Sequence, residues 1–277
     1  MAGHLAAAGF DVTVYNRSDA ARERWLAAHA GRPAATPAEA AEGADFVLAC
    51  TGNDDDLRAI TLGPGGAFET LGEGALFIDH TTASAEIARA LAVEAQARGA
   101  AMLDAPVSGG QSGAEQGRLT VMVGGDERDY ARAAPLLDCY AKKHALLGPA
   151  GSGQLTKMVN QICIAGLLQA LSEGLHFAKQ AGLDADRVVD VIKAGAAQSW
   201  QMDNRAATMI RGEFDFGFAV EWMRKDLGIA LAEAAKSGAE LPVTELVDRF
   251  YAEVDASGGG RLDTSSLITR LGSRHDG

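Results

Sequence analysis

A short segment near the middle of the chain has the residue types of a carboxylate-binding turn. Ser108-Gly109-Gly110 follows Met102 and Leu103, which are typical of the end of a buried strand. A strand that stops in a Ser-Gly-Gly turn presents a hydroxyl group and backbone N–H groups that no side chain covers. Such a turn can cradle a small anion, so these three residues are candidate ligands for a substrate carboxylate.

A second candidate lies at the start of a long predicted helix. Lys157, Asn160 and Gln161 are spaced i, i+3 and i+4, so a helix places them on one face. An ammonium group beside two amides can deliver a proton to a carbonyl oxygen and hold the molecule that carries it. The alternative is an ordinary solvated lysine. The Gly-Ser-Gly before this segment favours the functional interpretation, because it lets a cofactor or another backbone approach closely.

Small polar residues also follow three earlier predicted strands. In an open α/β sheet, ligands bind beyond the carboxyl ends of the strands. Polar turns are common at strand ends, but four in succession, with the Ser-Gly-Gly turn as the fourth, predict a shared ligand groove. The three earlier turns are Asn16-Arg17-Ser18, Thr51-Gly52-Asn53 and His80-Thr81-Thr82.

Asn16 and Arg17 lie where a dinucleotide-binding fold reads the adenosine ribose. An acidic residue there would bind the 2′-hydroxyl of NAD, whereas an arginine accommodates the 2′-phosphate of NADP. Neither position is acidic, so we favour NADP over NAD as the cofactor. The alternative is that Arg17 merely stacks on adenine or faces solvent.

These residues must be positioned by two different kinds of structure. Short apolar strands alternate with helices in the first half, which predicts a Rossmann-like α/β domain whose parallel sheet is covered on both faces. From Gly153 to about Ala181 one helical pattern runs almost without a breaker, and only helical segments follow. We therefore predict an NAD(P)-binding domain over residues 1–150 and an all-helical domain over residues 151–277, joined by the long helix.

One expected part of a dinucleotide-binding fold is not found in this sequence. Such a fold needs a first strand and a G-x-G-x-x-G turn before its first helix. Met1-Ala2-Gly3 already reads as part of that helix. We expect a sheet without its first strand, from either a shortened gene model or a fragment. The alternative is a degenerate protein that no longer grips the pyrophosphate.

Composition argues against several classes of partner. The 37 acidic and 25 basic residues give a net charge of −12 with no basic cluster, so nucleic acid and anionic membranes are not expected partners. The three cysteines are scattered without metal-ligand spacing, which indicates reduced thiols in the cytoplasm and no metal site. No apolar run reaches roughly 18 residues, and the first residues lack the features of a signal peptide.

Five segments together resemble the β-hydroxyacid dehydrogenase family. This family includes 3-hydroxyisobutyrate dehydrogenase and tartronate semialdehyde reductase, which is also called 2-hydroxy-3-oxopropionate reductase. The matching segments span nearly the whole chain in the family's order. They are VTVYNRS, DHTTAS, DAPVSGG with its trailing GRLTVMVGG, GSGQLTKMVNQ, and FAVEWMRKDLGIAL.

The resemblance implies hydride transfer between NAD(P) and a small 3-hydroxyacid or semialdehyde acid, such as 3-hydroxyisobutyrate or tartronate semialdehyde. Lys157 resembles the family's catalytic lysine, and the Ser108-Gly109-Gly110 turn resembles the loop that holds the substrate carboxylate. Asn160 and Gln161 match the amide pair after that lysine, and their identity is more like the tartronate semialdehyde reductases.

The resemblance also implies cofactor contacts. Lys225 resembles a residue that the helical domain contributes near the nicotinamide, although a surface salt bridge with Asp226 is the alternative. The other expected cofactor residues lie at the strand ends, and they are Asn16, Arg17, Ser18, Thr51, Gly52, Asn53 and Thr82.

Two other functions remain open. Imine reductases share this fold, but they commonly replace the catalytic lysine, which this chain retains. A dehydrogenase-like scaffold that dimerises through its helices and binds no cofactor is the non-enzymatic alternative. The helical half is also more apolar than a small satellite domain needs, so we expect a homodimer or homotetramer.

Overall fold

The computed structural model describes residues 1–272 of the 277-residue chain. The chain divides into two compact units, one covering Met1–Lys157 and the other beginning at Met158. Alternating strands and helices form the first unit, and helices form the second. The predicted order, a Rossmann-like α/β region followed by a helical region, is confirmed.

All of the strands described lie in the first unit. The middle sheet, β3-β4-β5, is entirely parallel. In the third sheet β7 pairs parallel with β8 but antiparallel with β6, because the chain turns back along β7 directly after Pro106. The strand pairs are therefore mostly parallel, and the short pair β6-β7 is antiparallel. The strands are β1 (Thr13–Val14), β2 (Arg32–Pro33), β3 (Phe46–Ala49), β4 (Leu76–Asp79), β5 (Ala101–Asp104), β6 (Val107–Ser108), β7 (Leu119–Val123) and β8 (Ala141–Leu146).

The β1-β2 pair forms its own parallel ladder, with Thr13 opposite Arg32. Among residues 1–272 no ladder joins this pair to β3-β4-β5. At the other side, Asp104 and Gly124 exchange two backbone hydrogen bonds, which tie the end of β5 to the end of β7.

Helices cover the strands of the first unit, and their starts follow ordinary capping chemistry. Ser84 Oγ accepts the N–H of Ile87 at 3.0 Å, so the Ser84 side chain caps helix α5. Pro37 lies in the first turn of its helix, where a backbone N–H has no partner within the helix. Its missing N–H therefore costs no helical hydrogen bond. The helices are α1 (Ala2–Ala7), α2 (Asp19–Ala28), α3 (Pro37–Ala41), α4 (Asp54–Leu62), α5 (Ala85–Gln96), α6 (Gly110–Glu115) and α7 (Glu127–Leu137).

The first unit has two apolar clusters, one centred on Phe77 and Leu91 and the other on Ile78 and Leu103. Successive strand residues contribute to different clusters because adjacent side chains point to opposite faces of a sheet. The apolar strands β4 and β5 are therefore buried on both sides, and the carboxyl ends of these strands are held rigidly.

The long helix α8 (Ser152–Gln180) starts in the first unit and continues in the second. No strand ladder lies in residues 158–272. Two apolar clusters stabilise this unit, one around Tyr251 and Leu168 and one around Met202 and Met209. The remaining helices are α9 (Ala185–Ile192), α10 (Trp200–Arg211), α11 (Val220–Ser237) and α12 (Pro242–Val254), followed by a 3-10 helix over Thr264–Arg270.

None of the helices in the described part of the chain is long and apolar enough to cross a membrane.

Candidate active site

Two of the predicted strand-end turns are tied to each other. Ala49 and Asp79, the last residues of β3 and β4, are paired in the ladder. Just beyond them, the Thr51 N–H donates to Thr81 Oγ1 at 2.9 Å, and the two threonine hydroxyls lie 3.2 Å apart. The turns that contain Thr51 and Thr81 therefore form one continuous edge, as expected for the carboxyl ends of parallel strands.

The turn after β1 is more exposed. Asn16 Oδ1 accepts the N–H of Ser18 at 2.9 Å, which folds the turn back on itself. The Arg17 side chain is 87% exposed and lies 3.4 Å from the carboxylate of Asp56 on α4. An exposed ion pair of this kind contributes about 0–1 kcal/mol, so the Arg17 guanidinium can exchange Asp56 for a phosphate.

The start of α4 fixes the turn Thr51-Gly52-Asn53. Asn53 Oδ1 accepts the N–H of Asp56 at 2.8 Å, so the Asn53 side chain caps this helix. The carboxylate of Asp54 accepts both the N–H and the hydroxyl of Ser84, at 2.8 and 2.5 Å. The segment that contains Thr82 is thus bonded to the segment that contains Gly52 on both of its sides.

Two buried titratable residues lie behind these turns. His80 Nδ1 donates to the carbonyl of Ala105 at 2.6 Å, and the Tyr140 hydroxyl donates to His80 Nε2 at 2.9 Å. Burial lowers the pKa of His80 to about 4, so its ring is neutral and serves as a structural bridge. Burial raises the pKa of Asp79 to about 7. Asp79 Oδ1 accepts the N–H of Thr81 at 2.9 Å.

The Ser-Gly-Gly turn has a backbone that glycine alone adopts readily. Gly109 has φ +126° and Gly110 has φ +61°, and both residues are exposed. A side chain at either position would be strained, whatever space surrounds it. Ser108 is half-buried, and its backbone is paired with Thr120 of β7. The predicted carboxylate turn therefore has exposed glycine backbone next to an anchored serine.

Lys157 is buried despite its charge. It lies in the second turn of α8 and is 6% exposed. Gln161, one turn further along the same face, is 1% exposed, whereas Val159 on another face is 60% exposed. The spacing of these residues predicted that they share one face of the helix, and in the structure that face is the buried one.

In the second unit, one carboxylate connects three of the predicted site residues. Asn160 Nδ2 donates to Gln161 Oε1 at 2.7 Å, and Gln161 Nε2 donates to Asp226 Oδ2 at 2.6 Å. Lys225 Nζ lies 3.1 Å from Asp226 Oδ1 and 5.7 Å from the centre of the Trp222 ring. Asp226 is completely buried. The amide pair and Lys225 are thus held by the same acidic residue.

Three residues of this framework were not assigned a role from the sequence. They are Asp226, Asp104 and Gln154, all buried and all bonded to predicted site residues or to their neighbours. The sequence did contain one indication of their importance, because each of the three lies within four residues of a predicted site residue. Their partners are distant in sequence, so spacing alone could not reveal the contacts.

No cluster of metal ligands accompanies these residues. Within residues 1–272, no group of three or more His, Cys, Asp or Glu side chains is arranged to hold a metal ion.

Comparisons with known proteins identify the family. The family model "NAD binding domain of 6-phosphogluconate dehydrogenase" matches residues 1–148, and "NAD-binding of NADP-dependent 3-hydroxyisobutyrate dehydrogenase" matches residues 151–271. An uncharacterized oxidoreductase of Shewanella frigidimarina is 58% identical across 98% of this chain and 93% of that protein. The 2-hydroxy-3-oxopropionate reductase of Escherichia coli is 32% identical across 98% and 92%. The chain belongs to the β-hydroxyacid dehydrogenase family.

Solved structures agree with this assignment. The 3-hydroxyisobutyrate dehydrogenase of Mycobacterium tuberculosis, solved with L-serine, has a TM-score of 0.89 and 31% identity, covering 98% of this chain and 94% of that one. An imine reductase of Streptomyces aurantiacus has a TM-score of 0.64 at 20% identity, which is a likeness of fold alone. As a β-hydroxyacid dehydrogenase, the protein is an oxidoreductase that uses a nicotinamide cofactor.

The first unit has residues that suit such a cofactor. The turns after β3 and β4 form one edge through the Thr51–Thr81 bond, which is where an open α/β sheet binds its ligand. Arg17 presents an exposed guanidinium after β1. The small side chains along this edge and the exposed guanidinium of Arg17 fit the chemistry of a dinucleotide.

Proposed function

We propose that this β-hydroxyacid dehydrogenase interconverts a small 3-hydroxyacid and the corresponding semialdehyde acid. Candidate substrates are 3-hydroxyisobutyrate and tartronate semialdehyde, the latter being the 2-hydroxy-3-oxopropionate on which the relative from Escherichia coli acts. The Asn160-Gln161 pair favours the second of these. Substrates of this class carry a carboxylate that is separated from the reacting carbon by one carbon atom, so the protein must bind an anion and transfer a proton.

The proton is assigned to Lys157. In the direction of reduction its ammonium group donates a proton to the developing alkoxide, and in oxidation its neutral amine accepts one. The nicotinamide ring, when bound, supplies or accepts the hydride. Burial of Lys157 excludes water from its neighbourhood, which strengthens the attraction between the ammonium group and a developing negative charge.

The substrate carboxylate is assigned to the turn at Ser108, Gly109 and Gly110. The hydroxyl of Ser108 and the glycine backbone N–H groups can each donate a hydrogen bond to a carboxylate oxygen. We assign Asn160 and Gln161 to the substrate, because amides both donate to and accept from hydroxyl and carbonyl groups. Asp226 holds Gln161 in place for that task.

The cofactor is assigned to the strand ends and to Lys225. Its residues in the first unit are Asn16, Arg17, Ser18, Thr51, Gly52, Asn53 and Thr82. We propose NADP as the preferred form, since neither position 16 nor 17 is acidic and the Arg17 guanidinium is 87% exposed. The match to a family model of NADP-dependent enzymes supports the same choice.

The observation that carries this proposal is the burial of Lys157, which is 6% exposed. A lysine without a function ordinarily keeps its ammonium group in water, because removing that charge from water is unfavourable. Lys157 is buried and shares a helix face with two amides. In a member of this family, such a lysine is best explained as the acid–base residue.

A substrate panel tests the proposal. Purified protein is assayed with 3-hydroxyisobutyrate, tartronate semialdehyde, L-threonate and a cyclic imine, each with NAD(H) and NADP(H). We expect turnover of at least one hydroxyacid or semialdehyde acid, with higher kcat/KM for NADP(H). Turnover of the cyclic imine alone would replace the proposal with imine reduction. Cofactor binding without any turnover, or no binding, would favour the non-enzymatic scaffold.

We further propose that residues 1–150 bind the cofactor and that residues 151–277 serve dimerisation and substrate binding. Large apolar side chains of the second unit remain exposed in the single chain, including Phe177 at 70% and Val191 at 72%. A second copy of the chain would cover such residues in a homodimer or homotetramer. Light scattering during size exclusion measures this directly, and a monomer at micromolar concentration would contradict it.

We place the enzyme in the cytoplasm, where thiols stay reduced. The structure forms no disulfide among residues 1–272, which is consistent with that compartment. We expect its partners to be small carboxylate substrates, with neither nucleic acid nor membrane among them, in view of the net charge of −12.

A further inference from the structure

Three predicted site segments of the first unit must keep fixed positions relative to each other. They are the turn with Thr82 after β4, the turn with Ser108 after β5, and the start of α8 with Lys157. A hydride and a proton can move together only if the groups that direct them are placed to within a fraction of an ångström. Side chains that lock these segments together therefore control the chemistry without touching the substrate.

Asp104 bonds the end of β5 to the start of α8. It is the last residue of its strand and is 1% exposed. Asp104 Oδ1 accepts the N–H of Gly151 at 2.7 Å, and Asp104 Oδ2 accepts the N–H of Gln154 at 2.9 Å. The first N–H groups of a helix have no partner within the helix. A carboxylate from a strand 47 or more residues earlier supplies the missing acceptors here.

Gln154 bonds the same helix to the end of β4. Its side chain is inaccessible to solvent and uses both of its polar atoms. Gln154 Oε1 accepts the N–H of Ala83 at 3.0 Å, and Gln154 Nε2 donates to the carbonyl of Thr81 at 2.7 Å. These two backbone groups flank Thr82, so Gln154 holds the predicted cofactor turn from both sides.

Two glycines make the close approach possible. A Cβ atom at Gly153 would lie 2.5 Å from the carbonyl oxygen of Met122 and 2.6 Å from that of Asp104. A Cβ atom at Gly124 would lie 2.5 Å from Asp104 Oδ1. All three distances are too short for real atoms, so the helix can approach the two strand ends only where side chains are absent. The contact between the start of α8 and the strand ends therefore depends on the residue types at four positions, which are Asp104, Gly124, Gly153 and Gln154.

We propose that Asp104 and Gln154 are positioning residues that set the place of Lys157 relative to the Thr82 and Ser108 turns. Lys157 follows Gln154 by three positions, less than one turn of α8, so a slide or rotation at Gln154 moves the lysine directly. The proposal rests on the proposed function of Lys157. It implies that loss of either residue slows the transfer step itself, whereas substrate and cofactor binding change little.

Single-turnover kinetics test this with the full-length protein, tartronate semialdehyde and NADPH. Enzyme is mixed with an equimolar amount of NADPH, with tartronate semialdehyde saturating, and the oxidation of the reduced nicotinamide in the first turnover is followed. The rate constant reports the transfer step, and the amplitude reports the fraction of competent enzyme. For Gln154→Met we expect a rate constant lower by about 100-fold with an unchanged amplitude, since a misplacement of about 1 Å has an effect of this size.

A second glutamine on the same helix provides the matched control. Gln169 is also buried, at 7% exposed, and its amide donates to Glu173 at 2.6 Å. Gln169→Met should keep the wild-type rate constant. A wild-type rate constant in Gln154→Met overturns the proposal, and so does a reduced amplitude with an unchanged rate constant, which is the signature of partial unfolding.

Asp104→Asn provides an independent variant of the same shape. The amide keeps one acceptor but turns an N–H donor toward one of the two helix N–H groups. We expect a rate constant lowered at least as much as in Gln154→Met. Its control is Asp184→Asn, because Asp184 caps helix α9 of the second unit by accepting the N–H of Arg187 at 3.1 Å. Equal rate constants in Asp104→Asn and wild type would overturn the role of Asp104.

Lys157→Met separates this proposal from the proposed function. If Lys157→Met abolishes transfer while Gln154→Met and Asp104→Asn leave it intact, the positioning role is wrong and the proposed function stands. If Lys157→Met itself transfers hydride at the wild-type rate, the assignment of the proton to Lys157 fails first.

Discussion

Gln161 Nε2 donates a 2.6 Å hydrogen bond to the carboxylate of Asp226, a residue that is completely buried. The two residues come from different helices, α8 and α11. The other oxygen of the same carboxylate lies 3.1 Å from Lys225 Nζ. The carboxylate of Asp226 therefore holds both the amide pair and Lys225 in place.

The Gln161–Asp226 bond should be energetically strong. Hydrogen bonds to charged groups contribute about 1.5–3 kcal/mol, and this one is buried. A double-mutant cycle with Gln161→Leu and Asp226→Leu should give a coupling energy in that range. Urea unfolding measures it, followed by fluorescence, because Trp200 and Trp222 both lie in the second unit.

An exposed ion pair on α12 serves as the reference for that cycle. Arg249 and Glu245 lie 3.1 Å apart with side chains more than 60% exposed. Their coupling should be only about 0.3–0.5 kcal/mol, as for other exposed helical pairs. Equal coupling energies for the two pairs would show that Asp226 does not anchor Gln161.

Replacing Gly153 by alanine should destabilise the first unit and slow turnover. The new Cβ would overlap two backbone carbonyl oxygens, at 2.5 and 2.6 Å, and backbone cannot move aside as a flexible side chain can. Overpacking of this kind is unfavourable by about 1–3 kcal/mol. Thermal unfolding and kcat measure the two effects.

Gly174→Ala, on the same helix, is its control. A Cβ atom at Gly174 would meet nothing within 4 Å. Alanine there should stabilise the chain by roughly 0.5–1 kcal/mol, since a helical glycine loses more conformational freedom on folding. If both variants had the same unfolding temperature as the wild type, the close approach at Gly153 would be wrong.

Arg17 should govern the choice between the two nicotinamide cofactors. Arg17→Ser removes a charged partner of the 2′-phosphate, worth about 1.5–3 kcal/mol, or about 10- to 100-fold in the KM for NADP. The KM for NAD, which has no such phosphate, should change little. Steady-state kinetics with both cofactors measure this, and Arg24→Ser on the exposed side of α2 is the control.

A parallel rise in both KM values for Arg17→Ser would contradict a role in reading the 2′-phosphate. It would favour the alternative interpretation, in which the guanidinium stacks on the adenine that both cofactors share.

Asp79 should make stability depend on pH in a particular direction. Burial raises the pKa of Asp79 from 3.8 to about 7, so the folded chain holds this proton more tightly than the unfolded chain. The contribution of Asp79 to the free energy of unfolding therefore falls as pH rises from about 4 to about 7, and it is level above that window. Asp79→Asn cannot titrate, so it should gain stability relative to wild type across the same window.

The difference in melting temperature between Asp79→Asn and wild type, measured from about pH 4 to pH 8, tests this. His80 has the opposite effect, since burial lowers its pKa to about 4, but it is present in both proteins and cancels in the difference. Asp45→Asn, at an exposed position, is the control. Melting curves that stay parallel at every pH would show that Asp79 does not titrate in this range.

Much of the fold could be predicted because its apolar runs are short in the first half and helical in the second. The elements that escaped prediction have weak apolar patterns. Helix α4 opens with Asp54-Asp55-Asp56 and buries only Leu57 and Thr61. Strand β8 includes two exposed lysines, which hide its pairing with β7. Helix α7 contains a proline near its end, which reads as a breaker.

The candidate site was also only partly predictable from the sequence. The spacing of Lys157, Asn160 and Gln161 predicted that they share a helix, and α8 carries all three. Contacts between distant segments could not be predicted, because nothing local in the sequence marks them. Asp104 accepts from an N–H group 50 residues later, and Gln161 donates to a residue 65 positions later. Such contacts depend on the packing of whole elements.

The account depends most on Lys157 as the residue that moves the proton. Single-turnover hydride transfer from NADPH to tartronate semialdehyde, compared between wild type and Lys157→Met, tests this most directly. General acid–base catalysis contributes about 100- to 10,000-fold, so the rate constant should fall by that factor while the Kd for NADP is retained. Lys179→Met, at an exposed position of the same helix, should transfer hydride at the wild-type rate. A wild-type rate constant in Lys157→Met would contradict the account.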